Sequence, residues 1–379
     1  MDNFSSLMLY LITFGISIMT CKKYQSLYKE NKSEELPALQ KAMWLIFIII
    51  PPVLISTLRF NVGTDYPKYV EIYNSIINKS LSITEAWAIY EIEPLYYLLN
   101  RLSYIIFGKS WGVFFVSSLI IHVFLILGID YYKKEISMPM SLFIYYMLLF
   151  SYGLNVIRQT IAMSICFFAL RYIFQKKIFK YLFWVLLATA FHKTAIICLV
   201  FYLLTDIDNL ALSKLRDKAY YISIIVTPVF LVIMINLFIN LNYFSSYSNY
   251  NSNLNLHIGF GFLLDILPIL LPILIFNKQL SVSPAYYRTL VNLSLLNIPF
   301  QYIGYYIEFG SRLTIYSNCF YFILVPLFIS IDKTLVRSSL TSNILNRFNK
   351  NSILLNKLIN KFNINKVVRL YYIVYFLML

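Results

Sequence analysis

Long apolar runs recur along this chain from end to end, and they decide its solvent. Met43–Leu58, Tyr221–Leu241 and Leu313–Ile331 are examples. At 1.5 Å of rise per residue, such runs approach or match a hydrocarbon core of ~30 Å. Backbone in lipid must satisfy its own hydrogen bonds, which leaves helices or a closed barrel. Barrel strands would be short and would alternate apolar with polar residues, and these runs do not alternate. The chain is 59% hydrophobic and 13% charged, whereas a soluble domain carries about 25% charged residues. The expected fold is therefore all-α, a polytopic transmembrane bundle of about 11–13 membrane segments.

Helices are expected near 4–21, 40–58, 94–107, 111–129, 137–153, 156–174, 180–191, 194–205, 219–241, 258–276, 288–306, 312–331 and 367–379. The first resembles a signal peptide, but no basic residue precedes it and Cys21-Lys22-Lys23 follows it. It reads as a retained helix. The segment 180–205 admits two readings. One span would bury His192 and Lys193 in the membrane; a hairpin of two short segments would put them at a tip. Loop charge selects the hairpin. With 94–107 returning to the face it left, most of the 32 basic residues fall on one side, as the positive-inside rule requires. Segments 59–93 and 242–257 then lie outside. Tyr69, Tyr73, Ile76 and Ile77 mark a surface helix after Pro67. Residues 1–331 form the membrane domain. Residues 332–379 form a basic, Asn-rich tail on the inner side, ending in a short apolar segment.

The net charge of +15 reads as basic loops facing an anionic leaflet, not as nucleic-acid binding. Cys21, Cys166, Cys198 and Cys319 have neither metal spacing nor a disulfide framework. No Walker loop, dinucleotide fingerprint, zinc helix or nucleophile elbow is present. No metal and no cofactor is therefore expected. Asp206-Ile207-Asp208 reads as an ordinary solvated loop.

Against this background one set of charges stands at an unusual depth. Arg59, Asp65, Glu93, Arg158, His192 and Arg312 all thread to the same, outer face. Ionisable groups near hydrocarbon are expensive and mark a site by default. Arginines suit a phosphate-bearing substrate. Arg59 and Asp65 flank the turn at Gly63; the plain alternative is a snorkelling arginine and a helix-capping aspartate. Arg158 and Arg312 each open a helix, where a cation opposes the macrodipole and an anion is favoured. His192 sits at the hairpin tip, and Glu93 precedes Pro94 at a helix start. His122 and His257 read as incidental.

These motifs in this order resemble the EpsG family of bacterial membrane proteins. The resemblance rests on Arg59 with Val62-Gly63-Thr64-Asp65-Tyr66 and Tyr69, Glu93-Pro94, Ile157-Arg158-Gln159-Thr160-Ile161-Ala162, Ala190-Phe191-His192-Lys193-Thr194-Ala195, and Ser311-Arg312-Leu313 with Tyr316 and Pro326. It implies a Wzy-type polymerase of O-antigen, capsule or exopolysaccharide. Such an enzyme transfers undecaprenyl-diphosphate-linked glycan onto another lipid-linked repeat unit at the outer face of the cytoplasmic membrane. A ligase using the same donor, or a flippase of the lipid-linked oligosaccharide, is the competing reading. Membrane lipids, a chain-length regulator and other polysaccharide-assembly proteins are the further expected partners, and a GT-C-like architecture is expected. The assigned roles are Arg59, Arg158 and Arg312 on the diphosphate, Glu93, Gln159 and Tyr66 on substrate, and His192 or Asp65 as catalytic base.

Overall fold

A computed structural model describes residues 3–31, 35–203, 285–303 and 310–330. The chain divides into two compact units, Met1–Leu203 and Leu204–Leu379. No strand occurs among the described residues, so the fold is an all-α bundle. The expected helices at 219–241, 258–276 and 367–379, the segment 242–257, the tail, the Asp206–Asp208 pair and His257 lie outside the described residues.

In the first unit, α1 is Asn3–Glu30, α2 Ala38–Leu58, α3 Tyr66–Ile77, α4 Ile83–Tyr90, α5 Pro94–Phe107 and α6 Trp111–Tyr131. Then come α7 Met138–Leu148, α8 Phe150–Asn155, α9 Ile157–Phe174, α10 Ile178–Thr189, a 3₁₀ turn at Lys193–Cys198 and α11 Leu199–Leu203. Helices α1, α2, α6 and α9 are long and apolar enough to cross a membrane. Helices α6 and α9 approach closely at Gly128, where a Cβ would meet the Phe167 ring at 2.6 Å. Small residues at such crossings let apolar helices pack without a hydrophobic drive between them.

Buried polar ties set the helix ends. Pro52 has no N–H to give Ile48, its partner one turn back. The Ser17 hydroxyl supplies the missing donor at 2.7 Å and also meets Tyr146 at 2.7 Å. At one end of the unit, Asp130 pairs with Lys41 (2.7 Å) and accepts from Tyr24 (2.7 Å). Gln25 donates to the carbonyls of Lys133 (2.8 Å) and Ile136 (2.7 Å). This cluster pins α1, α2 and α6 to the turn before α7.

At the other end, α5 begins beside Ala190, whose carbonyl accepts from Leu95 N–H at 3.0 Å. It ends at Gly108, and Phe114, in the first turn of α6, stacks on Tyr66 at that same end. Helix α5 therefore does not cross; its 14 residues reach only ~21 Å. The segment 180–205 is a hairpin: the chain turns after α10, and Tyr181 donates back to the Cys198 carbonyl at 2.5 Å.

Several expected helices differ in detail. The first runs on to Glu30. The 137–153 segment breaks at Leu149, and the return arm at 194–205 starts as a 3₁₀ turn. Helix α4 was not expected, although Ser82 and Glu85 form a capping box at its start. In the second unit, 288–306 is Ala285–Leu295 followed by Asn297–Ile303, and 312–331 is split into Gly310–Leu313, Thr314–Asn318 and Tyr321–Ser330. Asn297 holds that unit together, donating to Tyr321 (2.9 Å) and accepting from Ser317 (3.3 Å).

Candidate active site

Glu93 is the centre of the charged end. It precedes Pro94, whose fixed φ starts α5 without a donor being lost. The Glu93 side chain does not cap that helix and points into the bundle, only 3% exposed. One carboxylate oxygen, Oε2, accepts from Arg158 Nη1 at 2.6 Å. The other, Oε1, accepts from His192 Nδ1 at 2.9 Å and from the Lys193 N–H at 3.1 Å. Burial pushes the Glu93 carboxyl up, but the His192 hydrogen bond, the Arg158 charge and the Lys193 N–H together hold it below the usual carboxylate range. Nearby, Lys193 Nζ pairs with the Glu91 carboxylate, which that hydrogen bond and charge hold low.

An ionised carboxylate only accepts, so the proton of His192 facing Glu93 sits on Nδ1. In the neutral imidazole that arrangement leaves the lone pair on the other ring nitrogen, Nε2. It has no hydrogen-bond partner among the described residues. His192 is 18% exposed, so this nitrogen is reachable. A carboxylate fixing the tautomer of a histidine base is the recurring logic of hydrolytic triads.

Arg158 stands in the first turn of α9, and its Nη1 donates to both Glu93 and the Glu91 carbonyl (2.7 Å). A guanidinium has five N–H donors. The two on Nη2 and the one on Nε remain unclaimed within the described structure. The side chain is 21% exposed, so those donors face open space. At the start of α9 the buried Tyr69 hydroxyl lies beside the backbone N–H groups of Ile157 and Arg158, and no side chain caps the helix.

Arg59 approaches from α2. The backbone turns at Asn61 (φ 52°) and Gly63 (φ 100°). A Cβ on Gly63 would sit 2.8 Å from Asn155 Oδ1 and 3.0 Å from the Leu154 carbonyl. Glycine lets this loop lie on the end of α8, where Thr64 bonds Asn155 at 3.2 Å. Arg59 Nη1 donates to the Leu154 carbonyl at 2.6 Å. Its guanidinium lies over the Phe114 ring (4.9 Å) and near Tyr66 (5.8 Å). It is 8% exposed and its Nε has no partner. Among the described residues no carboxylate pairs with it.

The structure thus brings Glu93, Arg158 and His192 into one cluster, with Arg59 tied to the same α8–α9 corner. Tyr69 and Tyr96 lie within electrostatic range of both arginines. Tyr66 stacks on Phe114 (4.8 Å), and Gln159 is buried one residue past Arg158. Asp65 forms no ion pair with Arg59 across the turn; it stands at the start of α3 without a capping bond. Arg312 lies in the second unit, half-buried in its 3₁₀ turn. Glu93, read from the sequence as a substrate-binding residue, has both carboxylate oxygens on protein groups. The sequence did not point to Tyr69 beside the start of α9 or to the Lys193 N–H as a carboxylate ligand.

The fold and this cluster define a class: a polytopic helical membrane protein with a carboxylate-ordered Arg–His site at one end of its bundle. The EpsG family model matches residues 42–345. The chain belongs to the EpsG family, a family of Wzy-type polysaccharide polymerases. No curated protein and no solved structure matches it.

Proposed function

We propose that this protein polymerises lipid-linked repeat units of a surface polysaccharide. The donor is a glycan on undecaprenyl diphosphate and the acceptor a second lipid-linked unit, met at the outer face of the cytoplasmic membrane. A hydroxyl oxygen of the acceptor bonds to the anomeric carbon of the donor. The bond from that carbon to the diphosphate oxygen breaks, and the lipid diphosphate leaves. The hydroxyl proton passes to His192 Nε2. The sugar–phosphate bond is already activated, so no nucleotide is consumed.

The observation that carries this reading is the Glu93 bridge. It leaves a histidine lone pair and three arginine donors open side by side. Arg158 is assigned to the leaving diphosphate, where fixed donors at developing charge are usually the largest catalytic contribution. Arg59 is assigned to the same anion. Asp65 stays near this corner as an orienting group for sugar hydroxyls, with Tyr66 and Gln159 beside it.

The test is a gel profile of surface polysaccharide from cells lacking the gene and complemented with variants. Deletion is expected to collapse the ladder to a single capped repeat. His192→Gln and Arg158→Ala are expected to fail to restore it at wild-type protein levels, and Arg312→Ala tests the second unit independently. An unchanged ladder with glycan stranded on its carrier would overturn polymerisation in favour of ligation or flipping.

A further inference from the structure

Between α1 and α2 lies a cavity of about 710 Å³, and the catalytic reading uses Arg59 at its end but not its apolar walls. Its walls are Leu9, Thr13 and Ile16 on one helix and Ile50, Leu54 and Ile55 on the other. It begins just beyond the Ser17–Ile48 tie, where the two helices are held together. From Ile50 it runs to Leu58, roughly 12 Å at 1.5 Å per residue. Its far end carries its polar groups, on Ser6, Tyr10 and Arg59, beside the apolar Leu58, Phe60 and Val62.

The two ends ask for different things. The walls are apolar, and Leu9, Ile16, Ile50 and Leu54 are exposed, so the groove opens sideways to the hydrocarbon. Thr13 turns its hydroxyl onto its own helix, donating to the Leu9 carbonyl at 2.7 Å, and adds no polar demand. Arg59 is the opposite case: a nearly buried cation with an unpartnered Nε and, among the described residues, no carboxylate paired with it. A buried charge without a counter-ion is costly. An amphiphile with one anionic head and a hydrocarbon chain satisfies both ends at once.

We infer that this groove seats the first isoprene units of a polyprenyl diphosphate, with its phosphates on Arg59. The inference rests on the polymerase reading for the identity of the lipid. It adds where the lipid is held. A branched single chain lies along α1 and α2 while its head reaches the α8–α9 corner through Arg59. The remainder of a long chain stays in the bilayer, because the Ser17–Ile48 tie closes the groove about halfway down.

The experiment uses the purified full-length protein in lipid nanodiscs and a polyprenyl diphosphate with a diazirine in its first three isoprene units. Labelling is expected within residues 6–16 and 50–58. Leu54→Trp, at an exposed position, and Thr13→Trp, at a half-buried position on the groove wall, should each reduce it at least tenfold. Phe183→Trp, on the exposed side of α10, should leave it unchanged. The matching polyprenol and inorganic diphosphate should compete at least tenfold less well than unlabelled polyprenyl diphosphate. Labels mapping elsewhere, or phosphatidylglycerol competing equally, would overturn the proposal. Binding needs no turnover, so the two readings fail separately. An unaltered ladder in deleted cells with labelling in the groove removes the polymerase and keeps the groove. A collapsed ladder with labelling elsewhere does the reverse.

Discussion

Glu93→Gln is the most discriminating change at this site, because it keeps the shape and removes one charge. A glutamine offers one carbonyl oxygen and one amide nitrogen where the carboxylate had two acceptors. Arg158 Nη1 and the Lys193 N–H can only donate; Arg158, charged and the nearer at 2.6 Å against 3.1 Å, claims the carbonyl and leaves the Lys193 N–H without its acceptor. The amide N–H then faces His192 Nδ1, which must accept. The imidazole proton moves to Nε2, and the lone pair assigned to the acceptor hydroxyl is gone. Losing a general base typically removes a factor of ~10²–10⁴, and that is the expected fall in polymerisation rate. Folding suffers too. Breaking a buried ion pair costs about 3–5 kcal/mol, but Arg158 and His192 are 21% and 18% exposed. Water compensates in part, so about 3 kcal/mol is expected. Because the folded Glu93 carboxyl sits below its usual range, its contribution is complete above about pH 4.3, the reference glutamate value. It is lost only as the pH falls through the lower folded value. The gap in thermal midpoint between wild type and Glu93→Gln should be flat from neutral pH to about 5 and close in stronger acid. Rates in proteoliposomes and unfolding followed by tryptophan fluorescence measure both. Turnover of Glu93→Gln within about threefold of wild type, with an unaltered pH profile, would refute the bridge as a positioning device.

Three further outcomes are expected. Arg158→Lys keeps a charge for Glu93 but loses the fork that also holds the Glu91 carbonyl; the protein should fold, while single-turnover transfer drops by ~10²–10³. Gly63→Ala meets both a positive φ and contacts of 2.8–3.0 Å. It should cost about 1–3 kcal/mol, read as a lower thermal midpoint with weakened labelling by the prenyl diphosphate probe. Tyr69→Phe removes a buried hydroxyl that lies beside two N–H groups at the start of α9. It should cost about 1–3 kcal/mol, and hydrogen exchange at Ile157 and Arg158 should rise before exchange elsewhere in α9.

What the sequence reveals here depends on how far apart the partners are. The hairpin at His192 was legible because charge bias and apolar length are local properties, and a one-span reading would have exported basic loops. The start of α9 was legible from the apolar run that begins there, and Arg158 drew notice because a cation at that end opposes the helix dipole. The role of Glu93 was not. Its partners stand 65 and 99 positions away, and beside Pro94 it looks like an ordinary helix start. Arg59 and Asp65 misled for the opposite reason: their closeness in sequence invited a pair. The turn at Gly63 instead sends Arg59 inward to the Leu154 carbonyl. The break at Leu149 carries neither Gly nor Pro and leaves no local mark. The capping box Ser82-Ile83-Thr84-Glu85 does carry a signal, and α4 follows from it directly.

Arg59 and Arg158, the two site arginines of the first unit, are prepared for different work. Arg158 already has its counter-ion, so an incoming anion must share it with Glu93, whose negative charge lies behind it. Arg59 has no counter-ion among the described residues, and folding has already removed most of its water. An anion reaching Arg59 therefore gains Coulombic energy in a low-dielectric setting without a fresh desolvation cost on the protein side. On the polymerase reading this separates holding from reacting. Arg59 and the groove retain the lipid diphosphate in the ground state. Arg158 has three open donors and an orientation fixed by Glu93, and it meets charge best as that charge grows on the departing oxygen. The same carboxylate that tempers Arg158 as a resting anion site sets the tautomer of His192. Glu93 thereby couples the site that stabilises the leaving group to the site that takes the acceptor's proton, and neither can be altered through Glu93 without disturbing the other.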